Sequence, residues 1–268
     1  MMNSRQEHTV MAEVGDVKEF WNSNPVAAAA IPHELGSKEY FEYYNKLREQ
    51  NESIEFSYDL HEFRNFKNKN VLDVGCGNGY VLSKFAKEGA SVFGVDITDA
   101  SVDLCNKRFG FLGLDGDFRV GNAEKLPYED NKFDCVTSMG VLHHTPDTAG
   151  AVAEIHRVLK PGGRFIIMLY NRESFAYRVR MKKESKASGK TMQQLVNEVD
   201  GLENPLGDVY SRSEMKTLLR DFEITEMFAG LVRMQDMDRN KYNPFVYRYM
   251  KMLEKKRGWF LYAKANNK

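Results

Sequence analysis

The chain has 268 residues, 42% of them hydrophobic, and its 38 lysines and arginines balance 38 aspartates and glutamates. This length and composition suit one α/β domain with a substantial core and a cap, and zero net charge gives no argument for a polyanionic partner. Three scattered cysteines indicate neither a zinc site nor a disulfide framework, so we predict no metal. The polar N-terminus and the lack of a long apolar run predict a cytoplasmic protein with no signal peptide and no membrane partner.

Helical patterns dominate residues 1–66, which we predict to form an N-terminal cap. Val17–Trp21 has helical character, and Ser37 suits the N-cap of a second helix. That helix carries an apolar stripe of Tyr40, Phe41, Tyr44 and Leu47. The stripe either packs onto the domain or forms a lid, in which Tyr40, Tyr44 or Arg48 touches a ligand.

Strands alternate with helices over residues 67–171. The predicted strands cover residues 71–74, 91–96, 117–121, 133–138 and 164–170. Asp99 is the predicted N-cap of one intervening helix, and Asp147 precedes another. Such alternation implies a parallel sheet with right-handed crossovers, in which ligands bind beyond the carboxyl ends of the strands.

The stretch from Val71 to Tyr80 reads as a buried strand, a tight loop and the start of a helix. Its three alternating glycines are Gly75, Gly77 and Gly79. They allow positive φ angles and let the backbone approach a ligand closely. Asp73 places a carboxylate in an otherwise apolar strand, and Asp96 ends the next strand, where a ribose hydroxyl can be held. This arrangement predicts a nucleotide-cofactor site.

The pattern changes after residue 171. Residues 172–213 read as an insertion of helices and loops over the cleft. Residues 214–268 would complete the sheet, with a strand at Phe222–Phe228 and a last antiparallel strand at Gly258–Ala263 on its edge.

Two segments, 172–190 and 239–257, carry local excesses of lysine and arginine. They read either as solvated amphipathic helices or as surfaces for an acidic acceptor or RNA. Tyr242, Tyr247 and Tyr249 interleave with the second segment and keep the RNA interpretation open.

Four segments resemble the class I S-adenosylmethionine (SAM) dependent methyltransferases of the small-molecule type. They are VLDVGCGNG (71–79), VFGVDIT (92–98), GNAEKLPYEDNKFDCVTSMGVLHH (121–144) and RVLKPGGRFIIM (157–168). The resemblance covers about residues 70–170 and implies a Rossmann-like, doubly wound α/β fold. Its sheet would be mostly parallel and seven-stranded, with an antiparallel edge strand. SAM is favoured over NAD(P), because a nicotinamide site usually has a glycine where this chain has Tyr80.

The resemblance also implies the residues that hold SAM. Asp73 would hold the loop and, directly or through water, the SAM ammonium group, while Asp96 would accept both ribose hydroxyls. Asn122 stands where the family commonly has an aspartate, and its carbonyl oxygen can still accept from the adenine amino group. The predicted cofactor contacts are Asp73, Gly75, Cys76, Gly77, Gly79, Asp96, Ile97, Asn122, Ala123, Met139, Tyr40 and Arg48.

Methyl transfer is an in-line displacement, so alignment and exclusion of water are the main tasks of the protein. A hydroxyl acceptor also needs a base, for which His143 and His144 at the end of strand four are candidates. Alternatively, His143 hydrogen-bonds backbone or cofactor, and His144 shapes the pocket wall. Candidate acceptor contacts are Tyr44, Tyr170, Asn171, Asp200, Asn204 and Tyr210.

We therefore predict an enzyme that transfers a methyl group from SAM to an oxygen or nitrogen atom of a small molecule. The alternatives are an RNA or protein methyltransferase with the same core, and a SAM-binding protein without methyl transfer. The sequence favours no particular acceptor and no oligomeric state.

Overall fold

The computed structural model describes residues 12–232 and 243–268. Its strands are β1 Asn70–Val74, β2 Ser91–Asp96, β3 Asp117–Val120, β4 Phe133–Met139, β5 Leu159–Asn171, β6 Val209–Tyr210, β7 Phe222–Gly230 and β8 Phe260–Asn267. Its α-helices are α1 Val14–Ser23, α2 Lys38–Asn51, α3 Ile54–His61, α4 Tyr80–Lys87, α5 Asp99–Leu112, α6 Thr148–Val158, α7 Lys182–Ser188, α8 Met192–Asn197, α9 Arg212–Leu218, α10 Pro244–Met252 and α11 Glu254–Arg257. Shorter turns are 3₁₀ helices at Ala28–Ala30, Phe63–Phe66 and Leu142–His144, and a π-helix at Ala176–Met181.

The strands form one sheet in the order β3-β2-β1-β4-β5-β8-β7, with the short β6 paired to β5. The strands from β1 to β5 pair in parallel, which confirms the predicted α/β fold class. Alternate side chains leave the sheet on opposite faces. Leu72 packs in one apolar cluster with Ile155 of α6, whereas Val71 packs in another with Phe85 of α4. Helices therefore cover both faces, and the carboxyl ends of the parallel strands meet at one edge.

The last strand differs from its predicted place. It was expected at the sheet edge, but β8 lies between β5 and β7 and runs antiparallel to both. The edge strand is β7, whose pairing to β8 is antiparallel. Burial explains the difference: Leu261 and Ala263 of β8 are fully buried, whereas Glu223 and Glu226 of β7 face solvent. An apolar strand is more stable inside a sheet than at its edge.

One predicted helix cap agrees with the structure and another differs. The Ser37 hydroxyl accepts from the Tyr40 N–H at 3.1 Å, as predicted, and the Asp147 carboxylate caps α6. The N-cap of α5 is Thr98, and Asp99 lies in the first turn instead. Thr98 is held there because its hydroxyl also donates to Asp96 at 2.9 Å.

Candidate active site

A cavity of about 540 Å³ opens beyond the carboxyl ends of the parallel strands. Pockets for small molecules typically occupy about 300–1,000 Å³. The strands contribute its floor, and α1 with the loop after it contributes its roof. The predicted site residues that line it are Gly75, Gly77, Asp96, Ile97, Asn122, Ala123, Met139, Arg48, His144, Tyr170 and Asp200.

The other predicted site residues lie outside the lining, namely Asp73, Cys76, Gly79, Tyr40, Tyr44, His143, Asn171, Asn204 and Tyr210. Several have structural contacts instead. The Asn171 amide donates to the Gly258 carbonyl at 2.8 Å, and the Tyr210 hydroxyl donates to Thr148 at 3.0 Å. Tyr44 packs on Tyr80, with their ring centroids 5.8 Å apart. These three side chains therefore have partners within the fold.

The glycine loop is fixed against β2. The Gly75 N–H donates to the Val95 carbonyl at 2.7 Å, and the Gly77 N–H donates to the Asp96 carboxylate at 3.0 Å. Gly75 has a φ of +77°, and a Cβ there would lie 2.2 Å from the side chain of Val141. A Cβ on Gly77 would meet nothing within 4 Å. Gly75 is thus required by packing, whereas Gly77 leaves open space on the cavity side.

Behind this loop, Cys76 is buried beside Cys105, with their sulfur atoms 3.5 Å apart. The Cys105 thiol and burial raise the pKa of Cys76, so its side chain stays a neutral thiol. Its predicted cofactor contact is therefore limited to its backbone.

Asp96 connects the loop to the turn that follows β2. One carboxylate oxygen accepts from Gly77, and the other accepts from the Thr98 N–H and hydroxyl at 3.0 and 2.9 Å. Burial raises the pKa of Asp96, while these hydrogen bonds oppose that rise. A carboxylate has about four acceptor positions, so both oxygens can accept further donors from the cavity.

Asp73 is buried under the loop, where it accepts from the Thr137 hydroxyl at 2.7 Å. Burial raises its pKa to about 7, since the Thr137 bond only partly offsets the lost solvation. In the unfolded chain an aspartate titrates near pH 3.9. Between these two pH values the folded protein therefore binds one proton more than the unfolded chain.

This difference predicts the pH dependence of stability. The contribution of Asp73 is fully present below about pH 4 and is lost as the pH rises towards 7. From pH 5 to pH 8 this group alone should lower the free energy of unfolding by about 2–3 kcal/mol. An Asp73→Asn variant should lack this slope, while sharing the effects of all other groups. Urea unfolding of both proteins at the two pH values measures the difference, and parallel pH profiles would contradict it.

The cavity roof was not foreseen from the sequence. Trp21 of α1 and the alanines of the 3₁₀ turn Ala28–Ala30 line the cavity from above. The indole ring of Trp21 lies 5.3 Å from the His144 ring, in an edge-on arrangement. In the sequence, the sign of this roof was the run of alanines in a polar region. Their small side chains permit close approach to a ligand.

Arg48 of α2 lines the same cavity, and its Nη2 lies 2.8 Å from Oε2 of Glu52. Burial alone would lower the pKa of Arg48, but Glu52 and nearby tyrosines raise it above its ordinary value. The guanidinium is therefore a permanent positive charge beside the ligand space.

His144 belongs to a hydrogen-bonded group that faces the cavity. Its Nδ1 contacts the Leu206 carbonyl, which can only accept, so Nδ1 carries the hydrogen. Nε2 lies 3.3 Å from a carboxylate oxygen of Asp200, and the same oxygen accepts from the Tyr170 hydroxyl at 2.6 Å. Nε2 is thus the ring nitrogen of His144 that has a free lone pair and can take up a proton.

His143 has a different environment from its neighbour. Its side chain is fully buried, stacks on Tyr170 at a ring distance of 3.9 Å, and has no hydrogen-bonding partner within the described residues. Burial lowers the pKa of His143 well below its usual value, so the ring is neutral at pH 7. The structure therefore favours His144 over His143 as a base.

Comparison with known proteins agrees with this geometry. Residues 72–167 match the family described as "Methyltransferase domain". The ubiquinone biosynthesis O-methyltransferase of Pseudomonas paraeruginosa is 38% identical over 110 residues, which make up 41% of this chain and 47% of the relative. The chain thus spans about half the length of the curated relatives that it matches.

Two solved structures share the fold over more of the chain. The PH0226 protein of Pyrococcus horikoshii has a TM-score of 0.57 and 19% identity, covering 94% of this chain and 99% of its own. A protein titled as a SAM-dependent methyltransferase from Methanosarcina mazei has a TM-score of 0.55 and 19% identity, covering 75% of this chain and 93% of its own. At these identities the similarity shows the fold alone.

Proposed function

Because residues 72–167 belong to the class I SAM-dependent methyltransferases, we propose that this chain methylates a hydroxyl oxygen of a small-molecule acceptor. The observation that supports this most directly is the position of His144. It lines the cavity that also contains Asp96 and the glycine loop, and its Nε2 lies beside Asp200, another lining residue. The name of the Pseudomonas paraeruginosa relative, an O-methyltransferase, is consistent with an oxygen acceptor.

The cavity residues fit SAM in shape and chemistry. Asp96 would accept the ribose hydroxyls, and the open space above Gly77 would admit the methionine portion. Arg48 would hold the SAM carboxylate. Asn122 already accepts from the Glu124 N–H at 3.0 Å, but a carbonyl oxygen has a second lone pair for the adenine amino group. When bound, SAM supplies an electrophilic methyl group on a sulfonium.

The remaining work falls to residues of this chain. His144 would take the acceptor proton at Nε2, while its Nδ1–H stays bonded to the Leu206 carbonyl. The Leu206 carbonyl would orient the neutral ring, and Asp200, 3.3 Å from Nε2, would stabilise the imidazolium that forms. Trp21 and the alanines of the roof would exclude water from the reacting atoms.

The activity itself is tested by incubating the full chain with methyl-labelled SAM and fractionated cell extract. Formation of S-adenosylhomocysteine, with the label in a small molecule as a methyl ether, is the expected result. Label recovered in RNA or protein would assign the enzyme to a macromolecular acceptor. Tight SAM binding without turnover in any fraction would instead indicate a binding protein.

With an acceptor identified, His144→Gln should lower kcat by roughly 10²-fold or more, the usual contribution of a general base. SAM affinity, measured by calorimetry, should stay nearly unchanged. His143→Phe provides the matched control, because it keeps an aromatic ring where neither nitrogen has a hydrogen-bonding partner among the described residues. Equal losses in both variants, or full activity in His144→Gln, would refute the role of His144 as a base.

A further inference from the structure

Helix α10 has an apolar face that points away from the protein. Phe245 is 81% exposed, Met252 77%, Tyr249 59% and Val246 46%. At 100° per residue, Phe245, Tyr249 and Met252 lie within about 60° of one another. This face, formed by Phe245, Val246, Tyr249 and Met252, is called the outer face below.

The outer face is not needed to attach α10 to the domain. The opposite side of the helix makes that contact, where the buried Met250 packs with Val232, Phe175 and Tyr247. The helix therefore has two apolar sides, and only one of them packs against other described residues.

Basic residues are frequent in α10 and α11, the helix that carries the outer face and the helix that follows it. Residues 244–257 contain five lysines or arginines and one acid, which gives a net charge of +4 (5 − 1) in a chain that is neutral overall. Lys251 pairs with Glu254 at 2.7 Å. Arg248, Lys255 and Lys256 are exposed and form no ion pair with the described part of the chain. Of the predicted basic segment 239–257, residues 239–242 lie outside the described residues.

We propose that α10 and α11 dock the protein on an anionic lipid bilayer surface. Apolar side chains that flank one another on a basic helix enter the boundary between headgroups and acyl chains, while lysine and arginine attract anionic headgroups. RNA fits less well, because Val246 and Met252 offer no ring on which a base can stack. No helix in the described ranges is long and apolar enough to cross a membrane, so the contact lies on the bilayer surface.

This proposal revises the expectation that the protein has no membrane partner. It does not depend on the proposed methyl transfer, because the outer face and its basic residues lie outside the cavity lining. Binding and catalysis can therefore be tested separately.

The experiment is co-sedimentation of the full chain with vesicles at low salt. Vesicles of phosphatidylcholine containing about one-third phosphatidylglycerol should bind the protein at least roughly tenfold more tightly than phosphatidylcholine alone. Phe245→Ser/Met252→Ser should lose at least roughly tenfold in affinity, and so should Lys255→Glu/Lys256→Glu. These side chains are exposed, so both variants should keep the wild-type melting temperature.

The matched control is Phe111→Ser, which removes another exposed phenylalanine, 54% accessible, from α5. It should bind vesicles like the wild type. Equal binding to neutral and anionic vesicles, or unchanged binding by Phe245→Ser/Met252→Ser, would overturn the proposal. A concentration-dependent dimer that this double variant abolishes, without vesicle binding, would assign the outer face to self-association. Tighter binding to an RNA oligonucleotide than to anionic vesicles would assign it to RNA.

Discussion

An Asp96→Ala variant is expected to bind SAM at least roughly 100-fold more weakly than the wild type. Two ribose hydroxyls would lose a charged acceptor, and each such hydrogen bond contributes about 1.5–3 kcal/mol. The substitution also releases the Gly77 N–H, which Asp96 holds at 3.0 Å, so the loop itself becomes less ordered. Titration calorimetry with SAM and with S-adenosylhomocysteine measures the loss.

The stability of the variant must be followed in parallel. Removing a buried carboxylate whose pKa is raised relieves a desolvation cost, which offsets part of the lost hydrogen bonding. We therefore expect the melting temperature to change much less than the affinity. Asp99→Ala is the matched control: this aspartate, three residues further on, is 76% exposed and pairs with Lys18 at 3.3 Å. Wild-type affinity in Asp96→Ala, or an equal loss in Asp99→Ala, would contradict the assigned role.

A Gly75→Ala variant is expected to lose about 3 kcal/mol of stability, which corresponds to a fall of roughly 6–12 °C in melting temperature. A left-handed backbone costs a non-glycine residue about 1–2 kcal/mol. The larger cost is steric, because the new Cβ would lie 2.2 Å from Val141 and push the loop away from β2. Thermal unfolding of the ligand-free protein measures this directly.

The adjacent glycine supplies the control. Gly77→Ala faces the same left-handed backbone, with a φ of +53°, but its Cβ would meet nothing within 4 Å. It should therefore lose only about 1–2 kcal/mol. Adding Val141→Ala to Gly75→Ala should restore part of the stability by removing the clash. Equal losses in the two single variants, or no gain in the double variant, would show that packing against Val141 is not the cause.

Much of the core could be predicted because its signals are local. Strands β1 and β2 are short, mostly apolar runs bounded by polar or turn residues, so their limits are visible in the sequence. The glycine spacing in the loop after β1 and the position of Asp96 at the end of β2 are likewise recognisable from a few neighbouring residues. The position of β8 depends on pairing with Arg164–Tyr170, about a hundred residues earlier in the chain. No local pattern encodes such a contact.

The two adjacent histidines show the same limit at the site. Both residues are histidines at the end of β4, and the sequence offers either of them as the base. The 3₁₀ turn Leu142–His144 advances about 120° per residue, so the two rings leave it in different directions. His143 enters the core against Tyr170, whereas His144 meets Asp200 from a loop 56 residues away (200 − 144). Only the three-dimensional arrangement separates a buried aromatic ring from a candidate base.

The interior position of β8 also imposes an order of assembly on the nascent chain. Strands β1 to β5 can pair as they leave the ribosome, since each finds its neighbour among residues already made. Within the described part of the chain, β7 pairs with β8 alone, and β5 keeps one long edge unpaired until residues 260–267 emerge. Exposed strand edges recruit other chains and promote aggregation. The sheet therefore cannot be completed before β8 has been made, and until then these two edges are open to pairing with other chains.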